Sequence, residues 1–276
     1  MDILADTLID NLKLLPFLLI TYLCIEYLEH KTSSKMQEWI KKFRIGGPLV
    51  GSILGALPQC GFSVVAANFY ATGIIGIGTL MAIFLSTSDE TLPILIANAA
   101  DPLLIVQIIC YKIICGAVFG YALYAIFLNK QKRINIADFC HHEECHCSHG
   151  IIKPALRHTA EIFCFIFIIT LSLNYTMIFI DLQQATALLQ IPLLGEFISG
   201  FIGLIPNCSA SVVLTQLYID GFININTLFS GSLVNGGVGL LVLFRVNKNI
   251  KENLHILALL YACGVLGGIT SSLFFQ

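Results

Sequence analysis

Charged residues are scarce in this sequence. Of its 276 residues, 12% are charged and 57% are hydrophobic, whereas an ordinary soluble domain has about 25% charged and about 45 to 50% apolar residues. This composition excludes a water-soluble globular fold and predicts an all-α integral membrane protein. The formal net charge of −2 argues against a nucleic-acid binder.

Basic residues are absent from long parts of the chain. None lies between His158 and Phe244, and 13 of the 15 fall within residues 31–44, 130–157 and 245–251. Because positive loops stay in the cytoplasm, these three clusters predict a multi-pass protein of the cytoplasmic membrane with both termini outside. Acidic residues would then lie on or near the outer face, namely Asp2, Asp101, Asp181, Glu196 and Asp220. The N-terminus also lacks the basic start of a secretory signal, so we expect the first segment to stay in the mature protein.

Apolar runs predict two kinds of membrane segment. Residues 14–28, 102–128, 160–180 and 254–275 are each long enough to cross a hydrocarbon core of roughly 30 Å as a helix. Residues 47–71, 73–100, 197–219 and 222–245 are apolar but interrupted near the middle by proline, glycine or polar residues. Such breaks leave backbone groups at membrane depth, which protein or a wet cavity must satisfy. We expect 47–71 and 197–219 to be re-entrant hairpins and the other two to be broken crossing helices.

The chain contains an internal repeat at an offset of 148 residues. From Gly55 to Leu85, 13 of 31 positions are identical to those at the offset, and shared apolar composition would not reproduce the polar Pro-x-Cys-x-x-Ser break in both copies. The first half crosses the membrane an odd number of times by the charge distribution, so the repeats should have inverted topology. We therefore divide the chain into a first transmembrane repeat at 1–129, a cytoplasmic linker at 130–157 and a second repeat at 158–276.

The motifs at the breaks resemble those of a known family. Leu57-Pro58-Gln59-Cys60-Gly61-Phe62-Ser63, Thr87-Ser88-Asp89-Glu90-Thr91-Leu92-Pro93 and Ile205-Pro206-Asn207-Cys208-Ser209, with a His/Cys-rich central loop, are similar to the ten-helix heavy-metal exporters. That family is usually labelled arsenic efflux protein or manganese transporter and is distantly similar to the arsenical permeases. The resemblance covers essentially the whole chain and implies export of a metal or metalloid.

Paired thiols mark the candidate substrate site. Cys60 and Cys208 occupy equivalent hairpin tips, so both should reach the bilayer centre, where thiolates select soft ions such as trivalent arsenic, zinc or copper(I). Gln59, Ser63, Asn207 and Ser211 add harder ligands beside them. The alternative is that a buried cysteine acts as a small hydrophobic residue, as we expect of Cys24, Cys110 and Cys164, and we interpret all ten cysteines as reduced thiols.

Polar residues at the broken helices complete this belt: Thr87, Ser88, Asp89, Glu90 and Asn235. An ionised carboxylate at membrane depth is costly and usually marks an ion or proton pathway. The alternative for Glu90 is a capping box with Thr87 for the helix that follows, and Asn235 equally suits a helix C-cap. Lys112, inside the second full span, requires a buried partner that the sequence does not identify.

The central loop is dense in metal ligands. Between Asp138 and His149 it holds, besides Glu143 and Glu144, seven imidazole and thiol side chains: Cys140, His141, His142, Cys145, His146, Cys147 and His149. This density predicts binding of zinc-like divalent metals by a flexible collector, the alternative being a solvated linker.

These patterns predict a secondary transporter, not an enzyme, that exports a heavy-metal cation or metalloid. No ATP-hydrolysing motif is present, so an ion gradient, with protons as the expected coupling ion, would drive export through Asp89 or Glu90. The alternative is a passive channel built from opposed re-entrant hairpins. We expect no permanently bound cofactor beyond metal on the loop; the identity of the substrate and homo-oligomerisation stay open.

Overall fold

The computed structural model describes residues 46–58, 61–88, 91–127, 152–177 and 186–275, and parts of 7–23. Within these ranges the regular elements are helices. In chain order they are α1 (Gly46–Gly55), α2 (Gly61–Ala71), α3 (Ile77–Ser86), α4 (Thr91–Ala97), α5 (Pro102–Ile126), α6 (Ile152–Met177), α7 (Thr186–Leu189), α8 (Leu194–Gly203), α9 (Cys208–Ile219), α10 (Ile225–Val234), α11 (Val238–Val246) and α12 (Ile250–Ser271).

Five stretches are long and apolar enough to cross a membrane. They are Ile77–Ala97, Pro102–Ile126, Ala155–Ser172, Ile225–Val246 and Ile250–Ser271. Three of the four predicted full spans correspond to α5, α6 and α12; the fourth, at 14–28, lies mostly outside the described residues. The predicted all-α membrane protein is confirmed, and the apolar side chains that α5 leaves exposed, such as Val106, Ile114 and Val118, suit contact with lipid.

The predicted interruptions occur where the sequence placed them. Residues 56–58 separate α1 from α2, Thr87 and Ser88 follow α3, residues 204–207 separate α8 from α9, and residues 235–237 separate α10 from α11. Gly237 has a φ of 56° and a ψ of −151°, a backbone conformation that only glycine adopts without strain. The break after α10 is therefore built into the sequence.

The 148-residue offset of the sequence also relates the helix bounds. It converts α1 into α8 and α3 into α10 without a shift at either end. The turns agree as well, because Gly73 and Gly221 have φ values of 77° and 76°. Their N–H groups each donate over 3.0 Å, to the carbonyls of Tyr70 and Tyr218. The two halves thus fold locally in the same way.

Small residues bring the helices of each half together. A side chain on Gly116 or Gly120 of α5 would collide with α3, and one on Gly264 or Gly268 of α12 would collide with α10. The halves also exchange contacts: α2 packs against α11, and α9 packs against α4. Each half thus packs a helix against the interrupted helix of the other half. The interrupted helices are Ile77–Ala97 in the first half and Ile225–Val246 in the second.

Two charged side chains are buried among the described residues, Lys112 at 0% exposure and Glu196 at 4%. The other described acids of the predicted outer face, Asp101 and Asp220, are exposed. Asp101 caps the N-terminus of α5, where its side chain accepts from the N–H of Leu103. Glu196 thus differs from them, since the packing of α8 encloses its side chain.

Candidate functional site

At the break after α3, two side-chain hydroxyl groups donate to nearby backbone carbonyls. The Oγ1 of Thr87 donates to the Ile83 carbonyl over 2.7 Å, and the Oγ of Ser88 donates to the Ser86 carbonyl over 3.3 Å. Both side chains are buried. Thr87 is the C-cap of α3, so its hydroxyl serves the helix that precedes it. Glu90, the other member of the predicted capping box, lies outside the described residues, so that interpretation stays a prediction.

The break after α10 contains an unsatisfied donor. Asn235 is the C-cap of α10, as its alternative interpretation held, and its Oδ1 accepts from the N–H of Gly237 over 2.9 Å. Its Nδ2 is buried and has no hydrogen-bond partner among the described residues. A buried N–H without an acceptor is costly, so this group is suited to an acceptor atom that enters the break.

Lys112 joins the two breaks. From α5, its Nζ donates to the carbonyl of Thr87 over 2.5 Å and to the carbonyl of Ser232, in the last turn of α10, over 3.1 Å. Helix C-termini expose carbonyls and carry partial negative charge, so a lysine head group is well matched to both. Two helix ends from opposite halves therefore converge on one nitrogen.

The neighbouring residue reinforces this contact between the halves. Tyr111 donates from its Oη to the Gly267 carbonyl of α12 over 2.5 Å, and its ring packs against Phe229 of α10 at 4.6 Å between centroids.

The sequence identified Lys112 as needing a partner. It could not identify Thr87 and Ser232, because backbone carbonyls carry no residue-specific signal.

The helices that follow the predicted hairpin tips each pack against a helix that borders a break in the other half. Ser63 of α2 is buried and lies against Gly239 of α11, where an added Cβ would be 2.6 Å from the Ser63 Cβ. Ser211 of α9 is also buried, and its carbonyl accepts from the Oγ1 of Thr215, which lies 3.3 Å from the Oγ1 of Thr91 in α4. Ser63 and Ser211 thus each lie near the interrupted helix of the other half.

Asn207 has a structural role that the sequence did not assign. It is the N-cap of α9, where its Oδ1 accepts from the N–H of Ser209 over 3.5 Å. The side chain is buried. A substrate that binds Asn207 through this oxygen would share it with the helix terminus.

Several predicted ligands lie outside the described part of the chain. They are Gln59, Cys60, Asp89 and Glu90, the side chain of Cys208, and the loop ligands from Cys140 to His149. The approach of Cys60 to Cys208 and metal binding by the loop therefore stay predictions. Within the described ranges, no group of three or more His, Cys, Asp and Glu residues could hold a metal ion, and Cys110, Cys115, Cys164 and Cys263 are free thiols.

A family model described as "Putative, 10TM heavy-metal exporter" matches residues 1–142 and 113–265. The chain belongs to this family. It is therefore a multi-pass membrane protein of a heavy-metal exporter family, as the resemblance of its motifs implied. The family description names a transporter and no enzymatic activity. No curated protein and no solved structure matches the chain.

Proposed function

We propose that this heavy-metal exporter is a secondary transporter whose substrate site lies where the two interrupted helices meet at Lys112. The hydrogen bonds from Lys112 to Thr87 and Ser232 carry this proposal, because they link a break in each half. A site between broken helices at the interface of two repeats is the usual arrangement in secondary transporters. Inverted halves, re-entrant hairpins, termini outside and a cytoplasmic metal-collecting loop at 130–157 are part of the same proposal.

The chemistry of the described atoms favours an oxygen-bearing metalloid over a hard cation. The Thr87 and Ser232 carbonyls accept from Lys112, whose positive charge opposes a second cation beside them. Nδ2 of Asn235 offers a donor, which matches the hydroxyl oxygens of arsenite. Thiolates from Cys60 and Cys208 would supply the ligands that trivalent arsenic prefers.

The test is uptake into proteoliposomes containing the purified chain, measured in parallel for arsenite and manganese. With a thiophilic substrate, Cys60→Ser and Cys208→Ser should each nearly abolish arsenite transport, since a serine hydroxyl cannot replace a thiolate. Cys110→Ser and Cys164→Ser are the matched controls, because both thiols are exposed and free. These two variants should transport like the parent.

A manganese substrate predicts the opposite effects of these substitutions on transport. Oxygen ligands would then dominate, so both hairpin serine variants should retain export while Asp89→Asn should not. If all three variants transport both ions like the parent, the site does not lie at the breaks and the proposal fails. Flux that never saturates with substrate would instead support the passive channel.

Lys112 provides an independent test of the position of the site. Lys112→Met keeps the length of the side chain but leaves two buried carbonyls without this donor, at a cost of about 1 to 3 kcal/mol each. Because both carbonyls border the proposed site, this variant should lose transport even where the folded protein can be purified. Lys112→Arg should restore part of it. Parent-like transport by Lys112→Met would separate the breaks from the substrate path.

A further inference from the structure

We propose that the carboxylate of Glu196 binds the coupling cation of this transporter, a proton or a sodium ion. This inference rests on the proposed function, because a coupling site has meaning only in a secondary transporter. It differs from the sequence-based expectation, which assigned coupling to Asp89 or Glu90 and placed Glu196 near the outer face.

One oxygen of the Glu196 carboxylate is enclosed but not satisfied. The side chain is 4% exposed, and its Oε2 has no hydrogen-bond partner among the described residues. Most buried carboxylates are paired or hydrogen-bonded, because an isolated negative charge away from water is expensive. An acid inside a membrane domain that lacks such a partner usually marks an ion pathway.

The hydroxyl groups where α8 meets α10 donate to backbone carbonyls. The Oγ of Ser230 donates to the backbone carbonyl of Glu196 over 2.5 Å, and the Oγ of Ser199 donates to the Thr227 carbonyl over 2.7 Å. Their protons are therefore used on the backbone and do not satisfy Oε2 of Glu196. A carboxylate oxygen left in this way suits a proton or a small hard cation.

No basic side chain of the surrounding helices is placed to pair with Glu196. It is the only titratable residue of α8, which packs against α7, α9, α10 and α12, and α7 and α10 contain none. On α9 and α12 the titratable residues are Cys208, Tyr218, Lys251, Glu252, His255, Tyr261 and Cys263. Tyr261 donates to the Phe197 carbonyl over 3.1 Å.

The two basic residues of α12 are far along that helix. Ser230, which donates to Glu196, lies beside Gly268 of α12. At 1.5 Å per residue, His255 and Lys251 are about 20 and about 25 Å from Gly268 along the helix axis. The charge of Glu196 therefore lacks a cationic partner on the described helices that pack against it.

A purely structural role predicts different behaviour. An acidic residue in the first turn of a helix stabilises the positive helix end, and Glu196 stands in the first turn of α8. In that role Glu196→Gln would lower stability and slow transport, but it could not alter the substrate gradient reached at equilibrium. A coupling role changes that final gradient.

The experiment measures the final substrate ratio across proteoliposome membranes, with arsenite and manganese as probes and the membrane potential clamped at zero. A tenfold gradient of protons, or in a separate arm of sodium, is imposed. With one-to-one exchange the parent should reach about a tenfold substrate ratio, with substrate accumulated on the side where the coupling ion is concentrated, because a tenfold gradient of either ion stores about 1.4 kcal/mol. The arm that drives accumulation identifies the cation.

Glu196→Gln should bring this ratio to about one while substrate exchange continues. Glu161→Gln is the matched control, since Glu161 is paired with Arg157, and it should retain the parent ratio.

If Glu196→Gln also retains the parent ratio, or if neither ion gradient drives substrate accumulation by the parent, the inference is wrong although the exporter assignment stands. If Glu196→Gln is folded but inactive, recovery of the ratio in Glu196→Asp supports the inference and inactivity of both variants overturns it. A parent that carries neither probe refutes the proposed function instead.

Discussion

Replacing Gly239 by alanine tests whether contact between the halves shapes the substrate site. An added Cβ would lie 2.6 Å from the Cβ of Ser63 and 2.7 Å from its carbonyl atoms. Carbon atoms in ordinary contact are about 3.5 to 4.0 Å apart, so α2 and α11 would have to separate by about 1 Å. Overpacking of this kind costs about 1 to 3 kcal/mol.

The added methyl group destabilises only the conformation in which α2 and α11 are in contact. If that state binds substrate, affinity should fall by about 5- to 150-fold, the factor that corresponds to about 1 to 3 kcal/mol. The assay pairs thermal unfolding of the purified protein with substrate affinity. Gly46→Ala is the control, because no atom lies within 4 Å of a Cβ at Gly46. Equal stability and affinity in the two variants would refute the argument.

Three further outcomes are expected. Gly203→Ala should lower the free energy of unfolding by about 1 to 3 kcal/mol, because its Cβ would lie 2.2 Å from the Gly231 carbonyl oxygen; thermal unfolding at the Gly46→Ala level would contradict this. Deleting residues 138–149 should reduce export at low cytosolic metal and preserve the maximal rate, so complete loss of transport in a folded deletion would exclude a collector role. A cysteine introduced into the 130–157 loop should resist a membrane-impermeant reagent added to intact cells, and its labelling there would reverse the predicted orientation.

The breaks could be predicted from sequence because their causes are local. Pro58, Pro206 and the Gly236-Gly237 pair each disfavour a helix in the middle of an apolar run, although the Gly267-Gly268 pair inside α12 shows that paired glycines alone do not end one. The spacing of Thr87 and Glu90 fits a capping box, but it is also compatible with a hydroxyl that donates to Ile83 in the preceding helix. A four-residue pattern does not determine which of two adjacent helices it serves.

The partners of Lys112 and the burial of Glu196 depend on tertiary structure. Lys112 donates to the carbonyl of Ser232, 120 residues away. Every residue has a backbone carbonyl, so the sequence does not identify this partner. Glu196 resembled a surface acid because the predicted topology places it at the outer end of the hairpin at 197–219. Its enclosure comes from close packing of α8 against α10, where Gly203 meets the backbone of Gly231. Sequence therefore identified Lys112 as unusual but not its partners, and it did not distinguish Glu196 from the other acids of the predicted outer face.

The exchange of helices between the halves has a consequence for synthesis. Ser63 meets Gly239, which the ribosome adds 176 residues later. Contacts this distant in sequence form slowly, because a long loop must close first. During translation, Lys112 and the C-terminal end of α3 are therefore present before α10, which supplies the Ser232 carbonyl, has been made. The contact between the two breaks is consequently among the last polar contacts that a newly made chain can complete.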